Sequence, residues 1–265
     1  MKTVPKDIKE FVETFYPDPP KLSPEEIQKL YEGAKALPRR TWDKKSMTPP
    51  ITFGRRKQFD RRSRQYPIRA LLGAPRPLRS YTWRCINWLD QGREGACVGF
   101  AWAHELIARP VEFVALHGVD AINIYKQAQK VDPWPGEDYE GTSVLAGVKA
   151  LQEYWPRAIQ EYRWAFSIDD VLETLSYRGP MVLGVNWYEH MARPDVNNII
   201  WPTGKLLGGH AILANGIDVK RRLVRLHNSW GRSWGLGGDC FISFENLGLL
   251  LQRGGEACIP VRRGK

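Results

Sequence analysis

The residue types needed for acyl transfer through a thiol occur in this chain in settings that suit them. The stretch Asp90-Gln-Gly-Arg-Glu-Gly-Ala-Cys97-Val-Gly-Phe-Ala-Trp-Ala103 carries a cysteine from a glycine-punctuated loop into an apolar, helix-forming run. A thiol attacks a carbonyl only as thiolate. The unpaired N–H groups and positive dipole end of a helix N-terminus lower its pKa. Gly92 and Gly95 let the backbone turn tightly and come close to a substrate. Taken alone, Cys97 reads equally well as a buried thiol at a loop–helix junction, since free cysteine is among the most buried residue types.

Two later segments weigh against that plainer reading. Gly208-Gly209-His210-Ala-Ile-Leu213 sets a histidine at the start of an apolar strand, and its glycine pair, Gly209 included, leaves room for a substrate. Asn228-Ser-Trp-Gly-Arg-Ser-Trp-Gly235 ends the next strand with an amide. An imidazole near a thiol takes its proton and stabilises the thiolate as an ion pair. The imidazole needs an acceptor to fix its tautomer, which the Asn228 side-chain oxygen can supply. Trp230 can shield that bond from water.

The order Cys97, His210, Asn228, with Gln91 six residues before the cysteine, resembles the papain-like cysteine peptidase family, in its compact, disulfide-poor bacterial and phage branch. The resemblance covers about residues 79 to 261. Glu140-Gly-Thr-Ser143, Gly179-Pro-Met-Val-Leu183 and Gly237-Gly-Asp-Cys-Phe-Ile242 add to it. It implies an α+β, two-lobed fold, a helical lobe plus an antiparallel β-sheet or barrel lobe with the cleft between them. It also implies that Cys97 attacks the scissile carbonyl while its backbone N–H and the Gln91 amide hold the oxyanion. His210 would protonate the leaving amine, and water would hydrolyse the thioester. The thiolate would form readily, and Gly141 would line the cleft and bind an extended peptide through its backbone. The implied partner is a peptide or protein substrate, with no cofactor. Glu94 stands where secreted members carry a disulfide cysteine, and Val98 replaces the aromatic that usually follows the nucleophile.

These residues need elements to position them. A helix is expected from Cys97 through Ile107, with Pro110 kinking or restarting it and Gly118 ending it. Ala121 to Lys130 reads as helical. Thr142 or Ser143 caps a helix through Tyr154, and Ser167-Ile-Asp-Asp170 caps another that ends near Gly179. From Met181 the character changes to short strands at 181–187, 211–215, 223–228, 240–244 and 256–261. Helices first and strands afterwards independently indicate α+β.

Residues 1–78 read as a separate basic, proline-rich arm, and 79–265 as the main domain. Two short amphipathic helices are expected, one carrying Ile8, Phe11, Val12 and Phe15, the other starting at the capping box Ser23-Pro-Glu-Glu26. They cannot bury a core of their own, so the arm docks on its own domain or on a partner. A docking arm is preferred to an inhibitory propeptide, because no long helix with the family's propeptide motif is present. The net charge of +10 is concentrated in runs such as Arg55-Arg-Lys57 and Arg61-Arg62-Ser-Arg64. No nucleic-acid motif accompanies them, so solvated arms are preferred to a nucleic-acid site.

No apolar run is long enough to span a bilayer and no signal sequence opens the chain. The expected location is the cytoplasm or the inside of a virion or other assembly. The four cysteines and five histidines lack metal-ligand spacing, so no metal is expected, while a Cys240–Cys258 bridge stays open. Cys85, Cys240 and Cys258 otherwise read as core. His104 and His117 read as packing or surface residues, and His190 and His227 have no partner pattern. Two functional alternatives remain: a catalytically silent papain-fold interaction protein of a larger assembly such as a phage particle, and a cell-wall amidase, which the NSWG box disfavours.

Overall fold

The computed structural model describes residues 52–58, 60–154 and 159–261, all within one unit that spans Pro50–Lys265. The two helices expected before residue 35 lie outside the described residues. In chain order the elements are α1 (Arg69–Leu72), β1 (Tyr81–Thr82), α2 (Cys97–Ile107), α3 (Gly118–Val131), α4 (Val144–Tyr154) and β2 (Glu161–Ala165). Then follow α5 (Ile168–Tyr177), β3 (Met181–Tyr188), β4 (Leu206–Asp218), β5 (Leu223–His227), β6 (Asp239–Ser243), α6 (Phe244–Gln252) and β7 (Glu256–Val261).

Helix α2 is the pivot of the helical side. All its residues are buried, His104 and Glu105 included, so it packs on every face. Glycine lets its neighbours come that close. A Cβ on Gly99 would lie 2.2 Å from the Ala121 carbonyl of α3, and one on Gly147 of α4 would lie 2.4 Å from the Trp102 ring. The helix stops because Ala108 turns extended ahead of Arg109-Pro110. Gly118, expected to end a helix, instead begins α3, whose first turn is tied down by the His117 N–H donating to Asp120 Oδ2 at 2.8 Å. Ser143 Oγ accepts the Ala146 N–H at 2.9 Å at the start of α4, as the capping signal indicated.

The sheet is antiparallel, ordered β2-β7-β3-β4-β5-β6, with β1 also paired to β4. Alternation along β4 divides the core. Ile212 and Ala214 face one hydrophobic cluster with Leu183, Val224 and Trp230, whereas Ala211 and Leu213 face α2 and Cys258. Four elements were not anticipated, the one-turn helix α1 among them. β1 and the edge strand β2 are short, and α6 takes Phe244 out of the expected strand because Ser243 caps a helix there, accepting the Asn246 N–H at 3.1 Å. All four cysteines are free and buried, which closes the question of a Cys240–Cys258 bridge.

The described part of the arm packs on this domain. Asp60 caps a 3-10 turn at Arg61–Gln65, and Ile68 and Leu72 enter the sheet-side core. Arg69 donates to Asp170 Oδ1 at 2.7 Å and to Glu173 Oε2 at 2.6 Å on α5.

Candidate active site

Cys97 opens α2, while His210 lies in β4 and Asn228 follows β5. The β4–β5 register is what brings the last two together, with Leu213 opposite His227. His210 Nε2 and Asn228 Oδ1 are 2.9 Å apart, and the same oxygen accepts the Ser229 N–H at 2.8 Å. That second bond identifies the acceptor end of the amide, so Nε2 must carry the proton. In the neutral imidazole Nδ1 is then left as the base, and it is buried without a hydrogen-bond partner. The Ala211 N–H, one residue along, donates to Cys97 Sγ at 3.4 Å. Trp230 lies over the His210 ring, centroids 4.7 Å apart, and Trp187 meets it edge-on at 4.7 Å. His210 and Asn228 are both almost fully buried.

Gln91 is fastened to the asparagine loop. Its backbone N–H donates to the Ser229 carbonyl at 2.9 Å, and Ser229 Oγ donates to its side-chain oxygen at 2.6 Å. The amide nitrogen Nε2 is thereby turned the other way, donating to Glu94 O at 2.8 Å and to Thr52 O at 3.2 Å. Ser229 was not picked out from the sequence. Its position between Asn228 and Trp230 was the available signal.

Residues 52–58 lie across this site as a strap. Gly54 passes so close to the cysteine loop that a Cβ there would lie 1.7 Å from the Gly95 carbonyl oxygen. Gly141, at φ 87°, leaves the space that the Gly54 carbonyl fills, since a Cβ at Gly141 would be 2.3 Å from that oxygen. The strap's backbone bonds run to both walls: Thr142 N–H to Gly54 O at 2.8 Å, Arg56 N–H to Thr142 O at 2.7 Å and Arg55 N–H to Gly209 O at 2.9 Å. Phe53 sits edge-on to both His210 and Trp230. Nothing in the sequence of this proline- and arginine-rich stretch marked it as the segment that meets the cysteine.

No family model matches the chain, and no curated protein matches it. Solved structures do. Xylellain, a cysteine protease from Xylella fastidiosa, superposes with a TM-score of 0.58 over 82% of this chain and 99% of its own at 22% identity. Procathepsin L 3 of the Tenebrio molitor larval midgut gives 0.53 over 98% of this chain and all of its own at 14% identity. Recombinant stem bromelain precursor gives 0.52 over 100% of this chain and 95% of its own at 15% identity. The fold is papain-like.

Within this papain-like fold, the closed cleft sets the charge state of the thiol and the imidazole. Burial pushes the Cys97 thiol up, against the N–H groups of Ala211, Gly54 and Val98 and the charge of Arg55. Burial also pulls His210 down to about 4, against the bond to Asn228. Beneath the strap the neutral thiol and neutral imidazole are therefore favoured. The readily formed thiolate expected from the sequence does not describe this closed state, because desolvation outweighs the helix N-terminus.

His104 and His227 form a second buried group, their ring centroids 4.4 Å apart. His227 points away from the site, as the strand alternation required, but it does have partners. Nδ1 lies 2.6 Å from Asp239 Oδ1, and Nε2 lies 3.0 Å from the Asn87 carbonyl. Burial opposes its charge, yet Asp239 and Cys85 hold its pKa up to about 10. His104 Nε2 accepts the Leu89 N–H at 3.0 Å and stays neutral through burial. Among the described residues no group of His, Cys, Asp and Glu gathers as a metal site, and no helix is long and apolar enough to cross a membrane.

Proposed function

We propose that this chain is a cysteine-type peptidase that works through Cys97, His210 and Asn228 and is held latent by residues 52–58. The observation that carries the reading is the His210–Asn228 bond, which leaves Nδ1 as a free base next to the residue whose N–H meets Cys97 Sγ. When the strap leaves, water enters, the desolvation cost falls, and the thiolate–imidazolium pair becomes accessible. Cys97 then attacks the scissile carbonyl. The Cys97 N–H and Gln91 Nε2 receive the oxyanion, and His210 Nδ1 protonates the departing amine. Water, deprotonated by the same nitrogen, hydrolyses the thioester. Gly141 and Gly209 line the path of the peptide, and Trp230 keeps water from the His–Asn bond.

The strap is not seated as a substrate. It presents the Gly54 N–H to the sulfur rather than a carbonyl carbon, while Thr52 O occupies the Gln91 donor. Two of the structural neighbours are, by name, a precursor and a proenzyme, which agrees with a latent chain. Incubating the full chain opened by Gly54→Ala with peptide libraries and an epoxide thiol trap, beside the same chain carrying Cys97→Ala, tests the proposal. Cleavage and labelling confined to chains that keep Cys97 are expected. A second reading, a silent interaction module, draws on the full burial of Cys97 beneath the strap. It predicts neither cleavage nor labelling once the strap is displaced.

A further inference from the structure

The side chain of Arg55 shows where the cleft discriminates. It leaves the strap, turns inward and is 2% exposed, a depth arginine reaches only when it is paired. Nε and Nη2 donate to Glu256 Oε1 at 3.0 and 2.9 Å, and Nη2 also donates to the Gly254 carbonyl at 3.1 Å. The pocket is built for this group. A Cβ on Gly184 would lie 2.7 Å from Glu256 Oε1 and 2.9 Å from Arg55 Nε, and one on Gly209 would lie 2.2 Å from the Arg55 carbonyl oxygen and 3.2 Å from its Cδ. Beyond the guanidinium a cavity of about 320 Å³ continues between Arg55, Lys57, Trp164 and Glu256.

Building on the peptidase reading, we infer that Glu256 is the floor of a specificity pocket, and that the enzyme takes peptides carrying an arginine or lysine one residue away from the residue that meets Cys97. The register of the strap supplies that spacing, with Gly54 at the sulfur and Arg55 in the pocket. Once the strap is gone, the Glu256 carboxylate is left with its strongest partner removed. A carboxylate in that state rewards any cationic side chain that reaches it and penalises a neutral one. The strap would thus occupy the cleft by offering the side chain that the cleft selects.

The test uses the full chain carrying Gly54→Ala, whose added Cβ cannot fit against Gly95, and Arg55→Ala, which empties the pocket. Peptides with arginine stepped through the positions on both sides of the bond are compared with norleucine analogues. A preference for arginine of at least about 100-fold in kcat/KM at one position is expected, collapsing below about tenfold when Glu256→Gln is added. Cleavage without that preference, or a preference that Glu256→Gln leaves intact, overturns the pocket. Calorimetry on the same chain with Cys97→Ala separates the pocket from the chemistry. If no peptide is cut, the peptidase reading fails. The pocket still stands if the arginine peptide binds at least about tenfold tighter than the norleucine one and Glu256→Gln abolishes the difference. Equal binding, or none, overturns it.

Discussion

Gln91 Nε2 donates to the carbonyl oxygen of Thr52 at 3.2 Å, so the amide proposed to hold an oxyanion is already engaged by a carbonyl from the chain's own strap. Two residues further on, Gly54 fits against Gly95 only because it lacks a Cβ. The strap's fit in the cleft therefore needs glycine on both sides, Gly54 in the strap and Gly141 and Gly209 in the walls.

Gly54→Ala should lift the strap and expose Cys97. A backbone clash of this size costs several kcal/mol, and each ~1.4 kcal/mol is a tenfold change in population. The second-order rate of Cys97 labelling by an epoxide or iodoacetamide should rise by at least about tenfold over the parent chain. Labelling at the parent rate would mean that the strap does not guard the thiol.

Gln91→Ala, placed in the opened chain, should lower kcat by about 100- to 1000-fold, the cost of removing one oxyanion donor. Ser229→Ala should cost less, about tenfold, with KM little changed, because Ser229 acts by orienting the Gln91 amide. Steady-state kinetics on both variants check this. Equal losses for the two would assign Ser229 a role of its own.

His210 has a folded-state pKa pulled down to about 4 by burial, below the ordinary 6.5. It is neutral in the folded chain and protonated in the unfolded chain over that window. Its contribution to stability is thus complete above pH 6.5 and is lost progressively as pH falls toward 4, by about 3 kcal/mol in all. Urea midpoints measured from pH 7 to 4 should fall more steeply for the parent than for His210→Gln.

The His227–Asp239 pair has the opposite sign. His227 is raised to about 10, so its contribution is complete below pH 6.5 and is lost as pH rises through 10. Asp239→Asn leaves a buried imidazole without its carboxylate and should cost about 3 kcal/mol at pH 7. The fall in urea midpoint between pH 7 and 10 should also be shallower in the variant. An unchanged slope would remove the charge from His227.

Much of the candidate site was legible in the sequence because Cys97, His210 and Asn228 each sit at a boundary that local residue types announce: a glycine loop before an apolar helix, a glycine pair in the strand ahead of the histidine, an amide at a strand end. Gln91 became legible only through the resemblance to the papain-like family, which its place six residues before Cys97 helps to carry. Gly118 misled because a glycine at a helix boundary reads alike at either end, and the turn after Arg109-Pro110 decides which end it is. Phe244 misled because an apolar residue after a strand continues it unless a cap such as Ser243 intervenes.

The residue order by itself determined the α+β division, the candidate nucleophile, base and orienter, and the reading of the other cysteines as buried. Those follow from short-range patterns of polarity and turn chemistry. Only the tertiary structure decided that Thr52–Gln58 crosses the cleft, that Arg55 meets Glu256, and that His227 meets Asp239. Arg55 and Glu256 lie 201 residues apart in sequence, and no local pattern couples them. Their pairing, like the charge state of Cys97 under the strap, depends on which surfaces exclude water together.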